Sequence, residues 1–329
     1  MLDDRKAAIL RAIVEEYIQT AQPVGSNTVM AAANMHVSAA TIRNDMVALE
    51  RDGFLAQPHT SAGRVPTDKG YRFFVDHLDQ PDLGRMDAQT VRSFFDRTHT
   101  RLEEMLRDTT NLLANLTSYA AVVIGPPHEV ATIRSVQLVA LGSEVALVVV
   151  VLSNGVVERH TIDIDPNQSE VELNAASARL AGLLVGLTPG ATPAAVPGGE
   201  PAVDALVERV LAEMRRSDPS PVYVRGTSKM AAAFNAIETV QAVLSVLEEQ
   251  YMVVGLLRDV VDRGLTVAIG SETGVAPLAE CSLVVAPYLV DGQPVGSIGV
   301  LGPTRMKYPQ ALAAVAVVSS RLGDRLSRG

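Results

Sequence analysis

The sequence predicts a multi-domain α+β protein, with a small helical N-terminal domain followed by a larger body. Residues 1–78 hold three segments with helical spacing and a short hairpin signal. The body has short β-branched segments on both sides of a block with helical spacing, which is typical of one α+β domain carrying a helical insertion. With 329 residues, 47% of them hydrophobic, the chain can form two or three domains with buried cores.

The first forty residues follow the order of a helix-turn-helix. Asp4–Thr20 has the apolar spacing of an amphipathic helix, and Pro23-Val24-Gly25 breaks it. Ser26 can cap a short helix, Asn27–Ala33. Ser38 then begins the next helix, because its hydroxyl can accept an otherwise unpaired backbone N–H. The apolar positions of that helix, which we expect to face a core, are Ile42, Met46 and Leu49.

This last helix carries polar side chains in its first turns, on or beside the outward face. They are Ser38, Thr41, Arg43 and Asn44. Such side chains can bond base edges and phosphates when the start of a helix enters the major groove of DNA. Any surface helix carries Arg and Asn, so a solvated face is the alternative for this helix taken alone.

A hairpin with a basic tip follows. Its arms are Phe54–Ala56 and Arg64–Val65, and the residues between them are rich in turn formers. A hairpin directly after a recognition helix is a wing, so residues 1–78 are predicted to form a winged helix-turn-helix. We expect Arg64 to be a flexible cation near the tip that meets phosphate or the minor groove. The other candidate DNA contacts are His59, Thr60 and Ser61, although His59 is equally well explained as a solvated loop residue.

Three strings resemble the HrcA family of heat-inducible transcription repressors. They are VSAATIRNDMVALERDGFL, QPHTSAGRVPTDKGYRFFVD and, near the other end, GVLGPTRMKYPQ (Gly299–Gln310). The TIRND helix is similar to helices of other bacterial repressor families, whereas the TSAGR and PTDKGYR continuation is more diagnostic. The resemblance covers the whole chain.

The resemblance implies a winged helix, a GAF-like domain and an inserted dimerising domain. It also implies a homodimer that binds double-stranded DNA at an inverted-repeat operator of the CIRCE type, upstream of heat-shock chaperone genes, and is released on heat stress. The GroE chaperonin is implied as a modulator. The alternative is a metabolite-sensing winged-helix repressor that uses the GAF-like domain as a ligand pocket.

The predicted domain boundaries follow the pattern of the body. Residues 1–78 are the DNA-binding domain and 79–90 a polar linker; 91–168 with 229–329 form the GAF-like domain, and 169–228 the inserted dimerising domain. The strands 135–141, 144–152 and 156–164 are predicted as an antiparallel meander of the GAF-like domain, with Asn154-Gly155 as a hairpin turn. Val91–Leu116 is predicted as one long helix packed on a sheet; a coiled-coil seam is the alternative.

Charge and cysteine content limit the class of protein. The net charge is −9, yet residues 1–75 are neutral, with eight basic and eight acidic residues. DNA would therefore be bound by a local face, which argues against a nonspecific nucleic-acid coat protein. The single cysteine, Cys281, excludes an intrachain disulfide and a zinc cluster and fits a reducing cytoplasm. No signal peptide or membrane-length apolar run is present, so we expect a cytoplasmic protein.

We find no catalytic constellation. Gly296, Gly299 and Gly302 do not have the spacing of a dinucleotide or phosphate-binding loop, and structural turns explain them better. The six histidines are scattered and form no metal-binding pair. The sequence therefore predicts neither an enzyme nor a cofactor or metal site.

Overall fold

The computed structural model of the chain describes residues 2–32, 37–59, 63–78, 83–96, 102–126, 132–153, 157–166, 168–188, 191, 193, 200–216, 221–234, 237–264 and 266–327. They divide into two compact units. The first unit is Met1–Gly125 with Val222–Gly329, and the second is Pro126–Pro221.

The helices are α1 (Asp4–Thr20), α2 (Ser26–Ala32), α3 (Ala39–Arg51), α4 (Asp68–Asp76), α5 (Arg85–Phe95), α6 (Leu102–Thr117), α7 (Glu170–Leu184), α8 (Pro201–Arg216), α9 (Thr227–Ala231), α10 (Ile237–Glu248), α11 (Gln250–Asp262) and α12 (Tyr308–Ser327). The strands are β1 (Leu55–Ala56), β2 (Val65–Pro66), β3 (Ala120–Ile124), β4 (Ile133–Ala140), β5 (Val145–Leu152), β6 (Val157–Asp163), β7 (Val222–Arg225), β8 (Val267–Ile269), β9 (Cys281–Val290) and β10 (Gln293–Pro303).

The first unit joins the N-terminal helices to a five-stranded antiparallel sheet of order β7-β3-β10-β9-β8. Alternate strand residues face opposite sides, so each face has its own core. On one face Val123 and Val300 share a buried cluster with α6, α12 and the N-terminal helices. On the other face Val122 and Leu301 pack with residues of α10 and α11.

The second unit is a smaller α/β layer. Strands β4, β5 and β6 form an antiparallel meander, and their inward residues pack against α7 and α8 in a core of their own. Helix α7 begins at a capping box in which Ser169 and Glu172 each satisfy the other's backbone N–H.

The predicted boundary of the insertion at residue 169 is therefore wrong. The meander pairs with no strand of the five-stranded sheet in the described residues; it lies with α7 and α8 in the second unit, which begins at residue 126. The unit is thus mixed α/β rather than mainly helical. A period of two shows which residues share a sheet face but not which sheet a strand joins.

Two further predictions need correction. The long helix Val91–Leu116 is divided, because α5 ends at Phe95 with Asp96 as its C-cap and α6 begins at Leu102. The predicted linker 79–90 contains the first turns of α5, which starts at Arg85.

Within the described part of the chain, no single helix is long and apolar enough to cross a membrane, although the bent pair Thr239–Glu248 and Met252–Asp262 reaches that length together. Nor do the described residues bring three or more His, Cys, Asp or Glu side chains together as a metal site.

Candidate nucleic-acid interface

Helix α3 is fixed in place by its apolar face and by both ends. Ile42, Met46 and Leu49 are buried, as predicted. Ser38 Oγ accepts the backbone N–H of Thr41 at 3.2 Å, which caps the first turn. Gly53, with φ of +81°, ends the helix in the left-handed region that favours glycine. The helix therefore presents one defined face outward.

The outward face of α3 combines polar and apolar side chains. Arg43 and Asn44 are exposed, whereas Thr41 is half-buried, with its hydroxyl oxygen 3.0 Å from that of Ser38. Val47 follows Arg43 by one turn and is 51% exposed. Residues three and four apart on a helix are neighbours, so the side chains of Arg43, Asn44 and Val47 form one patch. Val47 was not among the predicted site residues, because a valine there fits an apolar stripe equally well.

A groove of about 570 Å³ lies beside this patch. It is lined by Gly25, Ser26, Asn27, Thr28, Arg43, Met46, Val47, Gln57, Gly63 and Arg64. The groove brings together the start of α2, the middle of α3 and the base of the hairpin. Of the predicted site residues that the structure describes, it includes Arg43 and Arg64. Asn27 and Thr28 add hydrogen-bonding side chains that no motif in the sequence singled out, and Gln57 adds that of the first residue in the string QPHTSAGR.

The expectation that Arg64 is a free cation at the hairpin tip is wrong. Its backbone N–H and C=O pair with Val24, at 2.9 Å in both directions. Its guanidinium binds the Glu50 carboxylate of α3 at 2.8–2.9 Å, and the side chain is only 15% exposed. Gly63 permits this pairing, because a Cβ there would lie 2.4 Å from the Val24 carbonyl oxygen. Arg64 therefore ties the hairpin base to α1–α2 and to α3.

A second ion pair holds α3 from the other side. Asp45 is 6% exposed, and its carboxylate accepts hydrogen bonds from Arg5 Nε at 2.8 Å and Nη2 at 3.2 Å. Those hydrogen bonds raise the pKa of Arg5 further above its usual value. Asp45 thus orients α3 on α1 rather than facing outward beside Arg43.

The remaining site predictions concern the hairpin tip. His59 is exposed. Thr60 and Ser61 lie outside the described residues, so their proposed contacts stay predictions.

Known proteins similar to this chain are named as transcription repressors. The family described as HrcA protein C terminal domain matches residues 103–312. The "Heat-inducible transcription repressor HrcA" of Pelotomaculum thermopropionicum is 35% identical, over 99% of this chain and 97% of that protein. The protein of the same name from Nocardia farcinica is 38% identical, over 99% of this chain and 97% of that protein.

A crystal structure of a protein described as hypothetical has the same fold. It is 24% identical, covers 100% of this chain and 99% of its own, and superimposes with a TM-score of 0.65.

Matches at this identity run over nearly the whole chain, and they confirm the resemblance that the sequence motifs indicated. They also confirm that the protein is a transcription repressor rather than an enzyme. The chain therefore belongs to the HrcA family of heat-inducible transcription repressors.

Proposed function

We propose that this repressor binds an inverted-repeat operator of the CIRCE type, upstream of heat-shock chaperone genes, as a homodimer that leaves the DNA on heat stress. The observation that carries the proposal is the outward patch of α3. A capped helix that exposes Arg43 and Asn44 beside Val47 offers two donors for guanine, a donor and an acceptor for adenine, and an apolar contact for a thymine methyl group. Residues 1–78 then act as a winged helix-turn-helix.

The contacts divide between reading and positioning. Arg43 and Asn44 read base edges, while Ser38 and Thr41, at the start of α3, meet phosphate. The hairpin is the wing, and His59, Thr60 and Ser61 at its tip meet the backbone of the adjacent groove. Arg64 holds the base of the wing against α3 through Glu50 and does not itself reach the DNA.

The second unit supplies the dimer contact in this proposal. Helices α7 and α8 cover one face of its meander. The outer face includes the half-buried Leu147, Val149 and Val151 of the middle strand. On the neighbouring strands the exposed Val139 pairs with Leu147, and the exposed Val157 pairs with Val151. An apolar patch of this kind on a soluble body is typical of an interface. Sedimentation equilibrium of the full chain at micromolar concentration tests this step, since a monomer contradicts it.

Heat release and modulation by the GroE chaperonin complete the proposal. Domains are stable by only ~5–15 kcal/mol, so moderate heating can unfold a repressor and a chaperonin can restore it. Operator binding measured after a heat pulse, with and without chaperonin, tests this. A metabolite from a small panel that shifts the affinity when chaperonin does not would favour the alternative of a ligand-responsive repressor.

The deciding experiment compares two arginines of α3. Arg43→Ala should weaken binding to the inverted repeat by roughly 1–3 kcal/mol, about 5- to 150-fold, because a base contact is lost. Arg51→Ala removes the same charge from the far end of the helix, where the side chain is 81% exposed, and should leave specificity unchanged. Fluorescence anisotropy with the operator and a scrambled duplex measures both.

If Arg43→Ala lowers the affinity for the operator and for the scrambled duplex by the same factor, α3 does not read the sequence. Failure of the unmodified protein to prefer the inverted repeat would refute the operator proposal itself.

A further inference from the structure

The motif PTDKGYR, which the proposed DNA contacts leave unused, lies at the start of α4, where two of its side chains reach the turn after β8. Arg72 Nε donates to Glu272 Oε1 at 2.9 Å, and Arg72 Nη2 donates to Glu272 Oε2 and, at 2.7 Å, to the Val267 carbonyl. A bidentate ion pair of this kind fixes the relative orientation of Arg72 and Glu272 as well as their distance, because the guanidinium and the carboxylate are both planar.

Asp68 makes the second connection. Its Oδ2 accepts hydrogen bonds from the backbone N–H and the hydroxyl of Ser271, both at 3.1 Å. Gly270, with φ of +53°, lets the turn approach this closely, since a Cβ there would lie 2.3–2.6 Å from the Asp68 carboxylate. Any larger residue at position 270 would therefore push the turn away from the Asp68 carboxylate.

The turn is braced from its own side. Glu272 Oε2 also accepts the Ile269 N–H at 2.9 Å, Arg263 Nη2 donates to the Glu272 carbonyl at 2.8 Å, and Thr273 Oγ1 donates to the Gly270 carbonyl at 2.9 Å. Partial burial alone would raise the pKa of Glu272, but the hydrogen bonds from Arg72 and Ile269 and the charges of Arg72 and Arg263 hold it below its usual value. The carboxylate thus stays charged at neutral pH.

The other motif residues also serve this region rather than a ligand. Thr67 Oγ1 caps α4 by accepting the Gly70 N–H at 3.2 Å, and it donates to the Gly53 carbonyl at 2.7 Å. Lys69 donates to the Asp52 carbonyl at 2.8 Å. Tyr71 is buried, with its ring centre 6.0 Å from that of Tyr308 in α12. The motif thus builds a connection between the N-terminal helices and the sheet.

Four residues form the contact that we call the α4 joint: Asp68, Arg72, Ser271 and Glu272. We propose that the α4 joint fixes the direction in which α3 points from the sheet body. It thereby selects the half-site spacing that the repressor accepts. This rests on the proposed function, in which two copies read an inverted repeat. Two recognition helices must be held about 34 Å apart, or a multiple of it, to fit successive major grooves. A loose joint lets each α3 find its half-site at several spacings, so it lowers discrimination without touching base contacts.

The test compares carboxylate variants that keep the side-chain shape. Glu272→Gln and Asp68→Asn weaken the α4 joint, and Asp76→Asn is the matched control. Asp76 contacts the same Arg72 at 3.3 Å from the same helix but does not touch the turn. Each full-length protein is titrated with three duplexes: the inverted repeat upstream of the organism's own chaperone genes, that repeat with five extra base pairs in the spacer, and a single half-site.

The unmodified protein should prefer the natural spacing strongly, because the second half-site is bound intramolecularly only when the geometry fits. Glu272→Gln should reduce this preference by about tenfold, with half-site affinity unchanged within about twofold. Asp68→Asn should act in the same direction and Asp76→Asn should retain the preference. An unchanged preference in both joint variants, or tighter binding of the natural spacing, overturns the proposal.

A measurement without DNA separates this proposal from the operator proposal. Hydrogen exchange of the Ile269 and Ser271 amides, which donate to Glu272 and Asp68, should accelerate in the two joint variants and not in Asp76→Asn. If the unmodified protein fails to bind the inverted repeat, the operator proposal fails and the spacing role fails with it, while exchange still reports whether the joint forms. Unchanged exchange in both joint variants overturns the joint itself.

Discussion

Helices α3 and α4 both begin at a hydroxyl cap and both carry charged motif residues, but they use those residues in opposite ways. In α3, Arg43 and Asn44 stay exposed while Asp45 is paired inward with Arg5. In α4, Asp68 and Arg72 are both engaged by the turn after β8. A charged residue in a motif is therefore no evidence of a ligand contact until its partners within the chain are known.

The largest expected effect concerns the close packing of α4 against the hairpin, and Gly70→Ala tests it. A Cβ at residue 70 would lie 2.3 Å from the Phe54 carbonyl oxygen, so backbone must shift. Overpacking of this kind typically lowers the free energy of unfolding by about 1–3 kcal/mol. Gly255→Ala is the control, because nothing lies within 4 Å of its added Cβ and alanine favours the α11 helix.

Urea denaturation followed by circular dichroism measures both glycine variants. Similar unfolding midpoints for Gly70→Ala and Gly255→Ala would mean that α4 does not press against the hairpin.

The two helix caps should differ by a smaller amount. Ser38→Ala loses one capping bond, which costs about 1 kcal/mol. Thr67→Ala also loses the bond to the Gly53 carbonyl, so it should cost about 1 kcal/mol more. Thr67→Ser keeps both bonds and should stay close to the unmodified protein. Equal unfolding free energies for Ser38→Ala and Thr67→Ala would contradict the structural role assigned to α4.

The smallest expected effect concerns the charge of the groove. Glu50→Gln removes the partner of Arg64 and leaves one more cation beside the exposed face of α3. If that cation then meets a phosphate, the slope of log K against log salt steepens by up to about 0.9. Glu15→Gln removes an equal charge from the exposed side of α1 and should leave the slope unchanged. Salt titrations of operator binding measure both variants. If Glu50→Gln and Glu15→Gln have the same slope, Arg64 lies away from the DNA even when it has lost Glu50.

Local features of the N-terminal region were predictable because their causes are local. The apolar spacing of α1 and the Ser38 cap each follow from a few neighbouring residues. The Arg64–Glu50 pair was not predictable, because it exists only once the hairpin folds back onto α3. The same holds for Glu272, whose partner Arg72 is 200 residues away.

The body was harder to predict for a related reason. Strand β3 is five apolar residues directly after α6, and such a run is equally consistent with a buried helix end. Its place between β7 and β10 depends on pairing with segments that lie beyond the second unit.

The order of these segments in the chain determines when each of them is synthesised. Strand β3 leaves the ribosome long before β7, β9 and β10, and Arg72 precedes Glu272 by 200 residues. At ~5–20 residues per second, that gap lasts roughly 10–40 s. Through that interval a growing chain already holds helices α1 to α4, but the apolar sides of α6 and β3 have no sheet to cover them. Each newly made chain thus passes through a stage with exposed apolar surface before Arg72 of α4 can contact Glu272.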